Sequence, residues 1–255
     1  MDTNDLTDAR ADLSPSGVLR AAINFGNPVL AQRDPVSGEP RGVSVVLATE
    51  LARRLEVPVE FRLFEAAGKA FEAVKEGEAD VAFLAREPER AAEVAFTAPY
   101  VNIEGTYLVR VGSPLRGIED FDRAGTRIAV GLNAAYDLFL TRTLRHAELV
   151  RAPTSAAAVD LFLGHGLDAA AGVRQPLERI ARDDEGLRVI EGRFTAIDQA
   201  MCMAPARPAG LLFLMDFIEE AKRSGLVEKG LAESGQDRAL VAPPAADSTA
   251  AFDRP

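Results

Sequence analysis

Short apolar runs alternate with segments of helical period along most of the chain, the pattern of an α/β fold with largely parallel sheets. Residues 18–23 read as a first strand. Residues 43–55 read as a helix, because Val43, Val46, Leu47 and Leu51 recur at three- and four-residue spacing on one face. Pro58 opens a strand through Val59, Phe61 and Leu63. A helix carrying Phe71 and Val74 follows Gly68 and ends at Gly77, where glycine tolerates positive φ. Asp80-Val81-Ala82-Phe83-Leu84 reads as a buried strand, and residues 88–92 have room for a short helical turn. The chain then extends through Val94, Phe96 and, beyond Pro99, residues 101–111.

A second unit repeats the rhythm. Residues 127–130, 148–151, 167–171 and 187–190 read as strands. Between them, helices are expected over 134–144, from Thr154 or Ser155 to residue 163, and over 176–182 with Pro176 in the first turn. Residues 196–203 are extended, and 208–223 form an amphipathic helix that stops at Ser224-Gly225. The helices after Met203 need a sheet to cover, and the first unit is the one short of helices. The chain is therefore expected to build a first lobe from residues 17–107, a second from 108–199, and to return to the first with 200–241. Two crossings make a hinge, and the cleft between the lobes is the default ligand site. The Asp-rich residues 1–16, and 242–255 with Pro243-Pro244, read as mobile tails.

Composition narrows the function classes. The formal net charge of −10 argues against a general nucleic-acid or anionic-membrane surface. No apolar run approaches the ~18 residues that span a bilayer, so no membrane insertion is expected. Cys202 is the sole cysteine and His146 and His165 the only histidines, too few for a His/Cys metal site. No metal or cofactor is expected. Both histidines fall near expected helix C-termini, where the dipole favours a cation, and read as caps. Residues 1–16 lack the basic start and apolar core of a secretory signal, which leaves a cytoplasmic chain or one whose signal was removed.

Four segments together resemble one family. They are Gly17-Val18-Leu19-Arg20-Ala21-Ala22-Ile23, Gly42-Val43-Ser44-Val45-Val46-Leu47-Ala48, the stretch from Pro88 through Glu89-Arg90-Ala91 to Phe96-Thr97-Ala98-Pro99-Tyr100, and the strand-loop-helix of residues 127–140. This order resembles the bacterial extracellular solute-binding proteins, family 3, the receptors of polar amino-acid ABC transporters. The resemblance implies a two-lobed, periplasmic-binding-protein-like fold that closes as a Venus flytrap on a small carboxylate ligand. It also implies a periplasmic location and an ABC permease as partner.

In that family the arginine of the central stretch holds the ligand carboxylate, and it falls on Arg90. A guanidinium offers a planar fork of donors that matches a carboxylate and keeps its charge. The plainer reading is a surface arginine paired with Glu87, Glu89 or Glu93. Gly131-Leu132-Asn133-Ala134-Ala135 joins a strand to a helix whose free amides favour an anion. Asn133 and Ala134 are therefore candidate ligand contacts, with Asn133 as a simple N-cap the alternative. Phe25 is the nearest counterpart of the aromatic that covers the ligand in the family. The stretch from Asp80 to Arg90 is about two residues shorter than the family pattern and presents Arg86. Where the family has an aspartate for the ligand ammonium, this chain has Arg174-Gln175. Either Glu104 supplies the acid, or the ligand has no ammonium and Arg90 acts with Arg86 or Arg174 on a more anionic molecule.

Two other function classes stand beside the transport receptor. One is a ligand sensor or buffer of the same fold that is never exported. The other is a dehydratase-like enzyme, for which Glu104, Asp137 and Asp198 would be the acid-base candidates. No pair of carboxylates has a suggestive spacing, and a non-catalytic binding protein is expected.

Overall fold

The computed structural model describes residues 3–245. Its first helix, α1 (Thr3–Leu13), is followed by β1 (Leu19–Asn24), the short hairpin β2 (Gln32–Arg33) and β3 (Pro40–Arg41), and α2 (Val43–Leu55). Next come β4 (Val59–Phe64), α3 (Ala67–Lys75), β5 (Val81–Ala85), the single turn α4 (Pro88–Ala91) and the long β6 (Ala95–Arg110). The second unit holds β7 (Arg127–Gly131), α5 (Ala135–Thr143), β8 (Glu148–Ala152), α6 (Ser155–Gly164), β9 (Ala169–Val173), α7 (Arg174–Asp183) and β10 (Leu187–Val189). The return runs through β11 (Thr195–Met203), α8 (Pro208–Arg223) and α9 (Leu226–Glu233).

Among the described residues one nine-stranded sheet runs through both units in the order β4-β1-β5-β11-β6-β9-β7-β8, with β10 beside β6. The pairs β1–β4, β1–β5, β7–β8 and β7–β9 are parallel, while β6 and β11 run against their neighbours. Pro99 is accommodated in β6 beside register shifts in the pairing with β11, where a missing N–H is tolerated.

The apolar strands bury both faces, because successive side chains point to opposite sides. In the first unit Ala21, Ile23, Val81 and Phe83 pack with α2, α8 and α9, while Ala22, Ala82 and Leu84 pack with α3. In the second, Tyr107, Val109, Ile128 and Val130 face Phe121 and α5; Leu108, Ala129 and Ala170 face Phe162 and Leu177 of α6 and α7. The packing changes hands between Ile103 and Tyr107 on β6, and between Phe194 and Ile197 approaching and entering β11.

The N-terminal segment differs from the expected mobile tail. In α1, Ala9 and Leu13 are fully buried against the first unit. The carboxylate of Asp12 accepts the Gly210 amide at 2.9 Å, so α1 caps the start of α8, whose own N-cap residue Arg207 gives no side-chain cap. At the other end, Ala242 is buried and its amide donates to the Tyr100 carbonyl at 3.0 Å. The remainder of the expected C-terminal tail, residues 246–255, lies outside the described residues.

Candidate functional site

Parallel strands end at the cleft, and ligand sites in such sheets form beyond the carboxyl ends of strands. Asn24 closes β1, Ala85 closes β5, Gly131 closes β7, Ser155 follows β8, and Val173 closes β9. A small cavity of about 40 Å³ lies among them, lined by Asn24, Ala85, Arg90, Ala134, Ser155 and Val173, with Tyr136 and Gln199 completing its wall. A larger cavity of about 420 Å³ adjoins it and shares Gly26, Tyr136, Ser155 and Val173.

Arg90 is 3% exposed, not the surface residue of the plainer reading. The three glutamates beside it are engaged elsewhere. Arg142 binds Glu87 at 2.6 Å and Glu89 at 2.7 Å, and Lys75 binds Glu93 at 3.2 Å. Arg90 itself has no carboxylate partner among the described residues. It donates from Nη1 to the Ala85 carbonyl at 3.1 Å and from Nη2 to the Asn133 carbonyl at 2.8 Å. Burial pushes its guanidinium below its ordinary value, with only the more distant Glu87, Glu89 and Cys202 acting in the opposite sense. A desolvated cation without a counter-ion favours any anion that reaches it.

The units touch across this site. Arg90 and Ala85 belong to the first unit and Asn133 to the second, so one side chain ties both together. The Arg142 pairs with Glu87 and Glu89 also span the cleft, and Asn133 sits against Gly68 of α3. Residues packed in both core clusters therefore meet at this cavity.

The sequence candidates distribute unevenly. Arg90 and Ala134 line the small cavity, and Phe25 lines the larger one with the Arg33 guanidinium 4.3 Å from its ring centre. Asn133 is not the N-cap. That position is Ala134, which has no side-chain cap, and Asn133 takes a left-handed φ of 58° with its amide donating to the Asp137 carboxylate at 2.9 Å. Arg86 is exposed and its side chain has no partner among the described residues; its backbone amide donates to the Asp198 carbonyl.

Glu104 and Arg174 line neither cavity. Instead they bind each other, Arg174 Nε to Glu104 Oε2 at 2.7 Å, while Arg193 takes the other carboxylate oxygen at 2.9 Å. The hydrogen bond from Arg174, with that from Arg193, holds the Glu104 carboxyl below its usual range against the opposing effect of burial. Helix α7 starts at Arg174, two residues before Pro176, which directs this side chain to Glu104 and the Gly192 carbonyl.

Asp137 and Asp198 are likewise committed. Asp137 is buried and pairs with Arg151 at 3.0 Å, and Asp198 is exposed and accepts from Asn102. His165 is the C-cap residue of α6, whereas His146 lies beyond α5 and donates its backbone amide to Asp122. Burial pushes the Cys202 thiol up to about 12, with the Arg90 charge opposing. Tyr136, Ser155, Val173 and Gln199 were not singled out in the sequence. Their signal was position: Val173 and Gln199 lie on strands that reach the cleft, and Tyr136 and Ser155 in the first turn of helices that follow such strands.

The sequence profile of the bacterial extracellular solute-binding proteins, family 3, matches residues 20–233. No curated protein matches the chain. Among solved structures, the solute receptor for L-cysteine of Neisseria gonorrhoeae is similar at 22% identity and a TM-score of 0.77, covering 89% of this chain and 92% of that one. The amino-acid ABC transporter substrate-binding protein of Streptococcus pneumoniae bound to L-arginine gives 18% identity and a TM-score of 0.76, covering 91% and 99%. An ancestral amino-acid-binding protein, a precursor of cyclohexadienyl dehydratase, gives 22% identity and a TM-score of 0.73, covering 87% and 96%. These likenesses establish the two-lobed fold.

Proposed function

The chain belongs to the bacterial extracellular solute-binding proteins, family 3, and from that premise we propose that it holds a small carboxylate in the cleft as the substrate-binding component of an ABC transporter. The observation that carries this reading is Arg90, a buried guanidinium without a carboxylate partner that faces the cleft cavity and bonds to both units. The ligand carboxylate takes Arg90 from one side and the start of α5 at Ala134 and Ala135 from the other, where backbone amides and the helix dipole favour negative charge. Binding rather than catalysis is supported by the commitments of Glu104, Asp137 and Asp198, none of which lines either cavity. A hinge near 104–106 on β6 and 195–196 at the start of β11 is supported by the change of packing partners there. No helix among the described residues is long and apolar enough to cross a membrane; the extracellular family supports a periplasmic location, where an ABC permease would be the partner.

The test compares acids with their own primary amides in a thermal-shift screen, on wild type and Arg90→Ala. A ligand that binds only the native state raises its melting temperature by mass action. Acids are expected to stabilise wild type and their amides are not. Arg90→Ala is expected to lose about 2 kcal/mol or more of binding, as for truncation of a buried charge pair. Equal shifts by acid and amide, or equal shifts in both proteins, would refute the anchor.

A further inference from the structure

The small cavity at Arg90 has room for a carboxylate and little else: about 40 Å³, where one water needs roughly 10–15 Å³. An α-ammonium is bonded to the carbon next to the carboxylate, so it would have to be met in this cavity or at its junction with the adjoining one. No aspartate or glutamate lines the small cavity. The amide oxygens of Asn24 and Asn27 already accept the Gly26 and Val29 N–H groups, and the Tyr136 hydroxyl donates to Ser155. Gln199, with no side-chain hydrogen bond among the described residues, offers a neutral amide. The start of α7 brings a closed Arg174–Glu104 pair and no free negative charge. An ammonium enclosed there would sit near the Arg90 cation with no carboxylate to offset its desolvation.

The rest of the ligand has one evident direction to extend. The adjoining cavity of about 420 Å³ is walled by Phe25, Val159, Ala171, Pro176, Leu177 and Ile180. Its charged members, Glu65 and Arg179, are exposed, and Glu65 is paired with Arg33. Resting on the reading of Arg90 as the anchor, we propose that the ligand is a carboxylate without an ammonium group and with an apolar tail. It is a 2-oxo, 2-hydroxy or unsubstituted acid whose carboxylate sits at Arg90 and whose aliphatic or aryl tail fills the larger cavity. The Gln199 amide suits an oxygen on the second carbon.

Calorimetry on the full chain tests this with matched sets: leucine, 4-methyl-2-oxopentanoate and 4-methylpentanoate; phenylalanine, phenylpyruvate and 3-phenylpropanoate; and the tail-less acetate and pyruvate. The tailed acids without an ammonium are expected to bind at least about tenfold tighter than the corresponding amino acids and than the tail-less acids. Ala156→Phe, at an exposed position on the wall of the larger cavity, is expected to weaken the tailed acids by about tenfold and leave pyruvate unchanged. An amino acid that binds as tightly as its deaminated counterpart, or tail-less acids that match the tailed ones, would overturn the inference. So would an Ala156→Phe protein that binds the tailed acids as wild type does. If amino acids bind and Arg90→Ala abolishes that binding, the anchor stands and the inference falls. If Arg90→Ala leaves every affinity unchanged, both fall.

Discussion

Gly68 and Asn133 meet across the cleft so closely that a Cβ on Gly68 would stand 2.9 Å from the Cβ of Asn133. Nothing in the Gly68 backbone demands glycine, since its φ is not in the left-handed region. The demand comes from the contact with Asn133. Gly68→Ala is therefore expected to leave the stability of the ligand-free protein about unchanged, because Gly68 lies in the first turn of α3, where the alanine preference of a helix interior is weak. Ligand affinity is expected to fall several-fold, as the closed state now carries a clash. Calorimetry beside a melting curve separates the two effects, and unchanged affinity would mean that this contact does not limit closure. The same residue scale shows what was legible. Arg90 stood out because a family pattern singled it out, while composition alone favoured a surface ion pair. Only the structure reveals that Arg142 and Lys75 occupy the neighbouring glutamates. The mutual pairing of Arg174 and Glu104 was hidden for a similar reason: the two are 70 positions apart and meet only because α7 begins beside β6.

Among the elements, α2 is fastened to its surroundings by charge as well as by its apolar stripe. Glu50 accepts from Arg53 at 2.7 Å and from Arg54 at 2.9 Å, and Arg54 reaches on to Glu220 of α8 at 2.7 Å. The hydrogen bond from Arg53, then that from Arg54, takes the Glu50 carboxyl from 4.5 to about 2, with burial opposing. A carboxyl depressed on folding adds stability above its unfolded value and loses that stability as pH falls through its folded value. The melting temperature of wild type should therefore exceed that of Glu50→Gln above pH 4.5 and converge with it as the pH falls towards 2. A constant difference across that window would deny Glu50 this role. Most elements were legible because the buried strands are continuous apolar runs and the helices carry clear stripes. Helix α1 was not, although Leu6, Ala9 and Leu13 recur at three- and four-residue spacing. Its many charged residues carry the compositional mark of a tail, and its stability comes from packing on α8, which no local pattern encodes.

At the scale of the whole molecule, one sheet passes through both units, and the chain crosses between them on β6 and at the start of β11. On the proposed reading, these two adjacent crossings form the hinge about which the units bend. The contacts that join the units include polar ones, Arg90 to Asn133 and Arg142 to Glu87 and Glu89, and apolar or close ones, Ala135 and Val173 on the first unit's core and Gly68 against Asn133. On the proposed reading, a ligand that bridges the two units adds free energy that favours closure. Small-angle X-ray scattering on wild type, with and without a carboxylate that raises its melting temperature, tests this most directly. The radius of gyration is expected to contract on adding that acid, and to stay unchanged in Arg90→Ala at the same concentration. A ligand that binds tightly while the radius stays constant would contradict closure, and an equal contraction in Arg90→Ala would contradict the anchor.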